Sequence, residues 1–159
     1  MEIKLQNVLL PDIHTCDVAE MYFHENGMHT AYDGYFNLFY IKKRKAYTIA
    51  ENLFLYLNSE GYRKITLYHD QSIVDICSMD PSVFKRYCFP LPYDAVSDGV
   101  FWFELEKDDT HEAHRISGYY FSRISDEQFR RINIGIDICT YRREAYLERN
   151  LCKLKQLME

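Results

Sequence analysis

The chain has 159 residues, enough for one domain and the start of a second, and at that size folding buries roughly 70% of the extended chain's surface without disulfide or metal staples. Tyr, Phe and Trp make up 16% of it, which favours β-structure, and 6 Gly with 4 Pro leave little room for a disordered linker. With 24 acidic against 19 basic residues the net charge is −5, which excludes a general nucleic-acid binder and its basic footprint.

The opening segment has no basic n-region, and Pro11 cuts its short apolar run, so it does not read as a signal peptide. No stretch reaches the roughly 18 apolar residues of a membrane helix. Five cysteines (Cys16, Cys77, Cys88, Cys139 and Cys152) are odd in number and far apart, without a CxxC pair. The expectation is a cytoplasmic protein with reduced thiols.

Seven short strands are predicted over Ile3–Leu9, Tyr35–Ile41, Leu53–Leu57, Lys64–His69, Ile73–Cys77, Val100–Leu105 and Ile116–Ser122. Alternation places Phe101, Phe103 and Leu105 on a core face and Trp102, Glu104 and Glu106 on the other. Leu55, Leu67 and Phe121 join the predicted core. Asp33-Gly34, Glu60-Gly61 and Asp98-Gly99 mark turns at strand boundaries, and turn signals in general recur at spacings of roughly ten residues. The fold expected is mainly β: an antiparallel, jelly-roll-like β-sandwich over residues 1–130. Residues 131–159 read as a strand running into a helix, with Ile134, Ile136 and Ile138 alternating first. Leu147, Leu151, Leu154 and Met158 then make a helical stripe.

Several side-chain groups have two readings. His14 with Cys16, and His24 with His29, match no metal-site spacing, so no metal is assigned. His111-Glu112-Ala113-His114 falls one residue short of HExxH and reads as solvated loop histidines. Lys42-Lys43-Arg44-Lys45 reads as an exposed turn between strands, with contact to anionic lipid headgroups as its functional alternative. Trp102, Tyr56, Tyr68 and Tyr120 are expected to face away from the core, where aromatic rings stack on sugars or fill an interface.

The segment Asn133–Leu154 resembles the first strand, turn and helix of family 2 glycosyltransferases. Thr140, Tyr141 and Arg143 match the Thr-(Tyr/Phe)-x-Arg turn of that family; Leu147, Asn150 and Leu151 match its Leu-x-x-Asn-Leu helix. Asp137 and Arg142 depart from it, standing where an apolar residue and Asn or Lys are usual. Tyr35–Thr48, Lys64–Asp70 and Gly99–Phe103 are similar to the N-terminal β-sandwich of bacterial galactofuranosyltransferase-like enzymes.

The resemblance implies that Thr140, Tyr141 and Arg143 contact the nucleotide of a UDP-sugar, at a helix start that offers N–H groups to phosphate. It further implies Mg²⁺ or Mn²⁺ on the diphosphate and inverting transfer, galactofuranosyl in its specific form, to a glycan acceptor of cell-surface polysaccharide at the inner membrane face. The sequence holds no Asp-x-Asp to bind that metal. The expectation is therefore an N-terminal piece, inactive without a C-terminal catalytic domain and itself binding no cofactor. It is expected either to self-associate as a homo-oligomer through residues 132–158, the favoured form, or to leave that segment mobile. The alternative is a non-catalytic carbohydrate-binding or subunit-assembly sandwich.

Overall fold

Leu53, Leu55 and Leu57 alternate with Phe54 and Tyr56, a period of two that an extended strand converts into one apolar face. The computed structural model describes residues 1–9, 23–125 and 144–158 and carries this pattern through most of the chain. Its strands are β1 (Glu2–Asn7), β2 (His24–Asn26), β3 (His29–Tyr32), β4 (Phe39–Tyr40), β5 (Leu53–Glu60), β6 (Tyr62–His69), β7 (Ser72–Ser78), β8 (Lys85–Leu91), β9 (Val100–Lys107) and β10 (Arg115–Arg123). Helix α1 spans Ile41–Tyr47 and α2 spans Glu144–Met158. The chain divides into two compact units, Met1–Phe129 and Arg130–Glu159.

The first unit is an antiparallel sandwich. One sheet has the order β1-β10-β5-β8; the other runs β2-β3-β9-β6-β7, with β4 also paired to β9. Register fixes which side chains meet. Leu55 lies opposite Tyr120 and Phe89, while Phe103 lies opposite Leu67 and Tyr32. All six are buried in one cluster, and the Phe39 and Tyr120 rings meet across the sheets at 5.0 Å. Phe101, Phe103, Leu105, Leu55 and Leu67 are core, as alternation predicts.

β10 corrects the remaining assignment. Tyr120, expected outside, points inward and is fully buried; Phe121 is among the buried hydrophobic residues, as expected, but stacks on Phe54 on the outer face instead of joining the cluster between the sheets. Phe121 is nonetheless only 2% exposed. Both neighbours are aromatic, so hydrophobicity alone could not orient this strand.

The predicted strand Tyr35–Ile41 shrinks to β4 and gives way to α1. Lys42 to Ala46 are straight-chain helix formers or Ala, and Thr48 N–H closes the helix on the Arg44 carbonyl at 2.9 Å. Asn37 is buried beside it and stands in for a strand: its Oδ1 accepts from Leu9 N–H at 2.7 Å and its Nδ2 donates to the Leu9 carbonyl at 3.0 Å. β2, β3 and β8 were not predicted. β8 contains Pro90, which lacks an N–H and is tolerated because the strand lies at a sheet edge.

In the second unit α2 matches the predicted helix. Leu147 and Leu154 are half-buried and Leu151 is exposed. The predicted strand of residues 132–139 lies outside the described residues. No helix among the described residues is long and apolar enough to cross a membrane.

Candidate functional site

Thr140, Tyr141 and Arg143, the sequence-predicted nucleotide-sugar contacts, lie outside the described residues, as do His14, Cys16 and Cys139. The sandwich carries the groups that can be placed.

The basic run is not a turn. As part of α1 its cations separate. Arg44 donates to Gln6 Oε1 at 3.0 Å and lies over the Phe39 ring, while Lys45 donates to the Val96 carbonyl at 2.5 Å and lies over Tyr93. These two are structural: they tie the helix to β1 and to the chain around Tyr93. Lys42 and Lys43 stay exposed, with Asp98 Oδ2 3.8 Å from the Lys42 ammonium.

Those two lysines border a cavity of about 530 Å³ lined also by Tyr35, Tyr40, Tyr47 and Asp98. Gly99 forms part of its floor. The residue has φ +94, and a Cβ there would stand 2.5 Å from His69 Nε2 and 2.6 Å from Asp70 Oδ2, so glycine lets β6 and β9 close up beneath the cavity. Ile41 N–H then donates to the Gly99 carbonyl at 3.0 Å and starts α1 beside it. Tyr35 and Tyr40 tilt together at 6.0 Å between centroids, while Tyr35 and Tyr47 remain 65% and 84% exposed. Exposed tyrosines on a concave surface offer flat apolar faces with polar tips, and the lysines add donors for hydroxyl or anionic groups. The sequence signal was available in Tyr35–Thr48, but reading Tyr35–Ile41 as a strand put Tyr35 and Tyr40 on opposite faces and left Tyr47 outside it.

Of the four aromatic residues expected outside, Tyr68 and Trp102 pair with each other, Tyr56 pairs with Tyr119, and Tyr120 is an exception. Tyr68 and Trp102 stack at 4.1 Å on the outer face of the larger sheet, where Trp102 Nε1 donates to the Asp70 carbonyl at 2.6 Å. Tyr56 and Tyr119 stack at 4.7 Å on the outer face of the smaller sheet. Tyr120 is the exception. Burial pushes its phenol well above the ordinary range, and its hydroxyl has no hydrogen-bond partner.

His24 and His29 each partner one carboxylate. His24 Nδ1 sits 2.6 Å from Asp33 Oδ1, and His29 Nδ1 sits 2.6 Å from Glu104 Oε1. Among the described residues no three His, Cys, Asp or Glu side chains converge as a metal site requires. Cys77, Cys88 and Cys152 are free thiols; burial pushes Cys77 and Cys88 upward, away from the reactive thiolate. His111 lies 3.3 Å from Asp108, and His114 turns toward the sandwich rather than into solvent, its Nε2 buried.

Among the described residues, rings and cations gather at the α1 cavity, a lining able to bind a ligand. No family model matches the chain, and no curated protein matches it.

Proposed function

We propose that the chain is the N-terminal part of an inverting, UDP-sugar-dependent glycosyltransferase of cell-surface polysaccharide synthesis, with a galactofuranosyl donor as the specific form. Its sandwich is an accessory domain that holds the glycan acceptor. The observation that carries this reading is an order of parts: an aromatic-rich antiparallel sandwich, then a separate unit whose helix α2 bears the Leu147, Asn150 and Leu151 pattern. That is the order the resemblance implies.

In this reading Thr140, Tyr141 and Arg143 hold the UDP moiety, and Mg²⁺ or Mn²⁺ with the acceptor-activating base belongs to a C-terminal catalytic domain. Residues 1–159 alone turn over no UDP-sugar. The α1 cavity, with Tyr35, Tyr40 and Tyr47 for sugar faces, contacts the acceptor. Membrane contact at the cytoplasmic face is peripheral at most. Only Lys42 and Lys43 of the basic run are uncommitted to the fold, and each contributes about 1 kcal/mol near an anionic surface. That is too little for stable anchoring, and the net charge of −5 opposes it.

A non-catalytic glycan-binding sandwich is the second reading, favoured by the α1 cavity itself. The two part on UDP. The test is transfer from UDP-galactofuranose to an oligosaccharide acceptor by the full reading frame, with and without Mg²⁺ or Mn²⁺. Metal-dependent transfer that falls at least tenfold in Arg143→Ala is the expected result. A full-length protein that binds glycan but no UDP-sugar would leave only the second reading.

A further inference from the structure

At the end of the sandwich where β5 turns into β6, a second cavity of about 540 Å³ opens between the sheets, apart from α1. Phe23, Tyr32 and Tyr62 form its apolar wall, and Glu25, Lys107 and His114 are its polar groups. Local structure explains how His114 arrives there. Gly61 has φ +79, and a Cβ on it would collide with the Ala113 carbonyl and stand 3.0 Å from His114 Cδ2. Glycine therefore lets the loop 108–114 cross this turn. Asp108 fixes the loop: its N–H donates to the Gly61 carbonyl at 2.9 Å, and its carboxylate accepts from Thr110 N–H at 2.9 Å. The His114 ring then meets Tyr62 edge-on at 5.3 Å.

Two features of this cavity point to a ligand. The first is an orphan: His114 Nε2 is buried and has no hydrogen-bond partner. Buried polar atoms without partners are uncommon in native proteins and call for a bound molecule or another explanation. The second is charge balance. Lys107 Nζ pairs with Glu25 Oε1 at 3.0 Å, and Arg115, also on the rim, faces Glu60 at 3.8 Å. Among the described lining residues, each Lys or Arg therefore has its own carboxylate partner, which disfavours a phosphate or carboxylate ligand. Burial raises the Tyr32 and Tyr62 phenols above their ordinary range, so both stay neutral. What remains is a set of paired donors and acceptors beside aromatic rings, in a space of ordinary ligand size.

We propose that this cavity binds one neutral saccharide residue. Phe23 and Tyr62 offer its C–H face an apolar wall, the Glu25–Lys107 pair takes neighbouring hydroxyls, and His114 Nε2 completes its hydrogen bond on a further oxygen. The choice of a saccharide among neutral polyols rests on the glycosyltransferase reading; the orphan nitrogen and the charge balance do not.

The test is a ¹H–¹⁵N titration of the chain with methyl β-galactopyranoside, methyl β-glucopyranoside and N-acetylglucosamine, set against glucuronate. At least one neutral sugar is expected to shift the amides of Tyr62, Lys107 and His114. Glu25→Gln, on the exposed side of the cavity, should weaken that binding at least tenfold at an unchanged melting temperature, and His114→Ala should do the same if it folds. Preference for glucuronate, shifts confined to other residues, no binding by any neutral sugar, or a Glu25→Gln affinity within twofold of wild type would each overturn the proposal. Sugar binding here in a full-length protein that ignores UDP would remove the transferase and leave this site standing.

Discussion

The central strands of the two sheets, β9 and β10, bury opposite lessons in similar sequences. β9 alternates regularly: Phe101, Phe103 and Leu105 inward, Trp102, Glu104 and Glu106 outward. Its outer face is finished for water by charge. Arg63 Nε reaches Glu106 Oε1 at 2.6 Å, Lys64 pairs with the same carboxylate, and the hydrogen bond from Lys64 is the main reason Glu106 titrates below the ordinary carboxylate range. β10 instead buries Tyr120, Phe121 and Ser122 in succession. Its outer face is an aromatic ladder of Phe54, Tyr56, Tyr119 and Phe121, overlaid by Arg123, Arg86 and Lys4 at 4.5–5.6 Å from the ring centroids. One sheet ends in ion pairs; the other ends in rings covered by cations. Alternation tells the two sides of a strand apart, but it does not say which side is the core when both are apolar.

The contrast is sharpest in a pair of truncations. Phe103→Ala should cost about 3–5 kcal/mol, because the removed ring leaves a cavity between two sheets that cannot collapse onto it. Phe121→Ala should cost less, about 1.5–3 kcal/mol, the transfer term alone, since Phe54 and Arg123 on the outer face can settle into the space. Urea denaturation of both variants measures the difference. Equal losses would mean that the outer face of β10 is packed like the core.

Tyr120→Phe runs the other way. The hydroxyl is buried without a partner, so its removal relieves a desolvation cost, and a gain of about 1 kcal/mol is expected as a raised melting temperature. A loss would show that the hydroxyl has a bound partner, such as an internal water.

The smallest effect is a pH dependence at the loop after β9. Hydrogen bonds from Thr110, side chain before backbone, and then from His111 hold the Asp108 carboxyl down at about 2. A carboxyl depressed on folding contributes its stability fully above its unfolded value near about 3.9 and loses it as pH falls through the folded value. Melting temperatures of wild type and Asp108→Asn should therefore differ at pH 5 and converge toward pH 2. A constant gap across that range would remove Asp108 as the cause.

Most of the sandwich was legible because β5 and β9 alternate cleanly and glycines mark the turns beside them. On β10 Tyr120 was placed on the wrong face because Tyr119, Tyr120 and Phe121 are all aromatic. α1 was hidden by aromatic and β-branched neighbours that imitate a strand, although Lys-Lys-Arg-Lys-Ala is a helix-forming run. β8 was hidden by Pro90, which suits only an edge. Of the sites, the rings of the α1 cavity were visible as residues but not as a group, since a seven-residue helix brings them together. The position of His114 depends on a glycine fifty-three positions earlier in the chain, which no local pattern reports. Thr140, Tyr141 and Arg143 were legible only through resemblance, and they lie outside the described residues.

The division of labour between the sandwich and the segment after residue 130 can be read in one experiment, a ¹H–¹⁵N map of the chain titrated with UDP. Weak binding is expected, with shifts concentrated at Thr140, Tyr141 and Arg143 and none at Tyr62, Lys107 or His114. Shifts centred on the sandwich cavities, or submicromolar affinity from this chain alone, would contradict it and place the nucleotide site elsewhere.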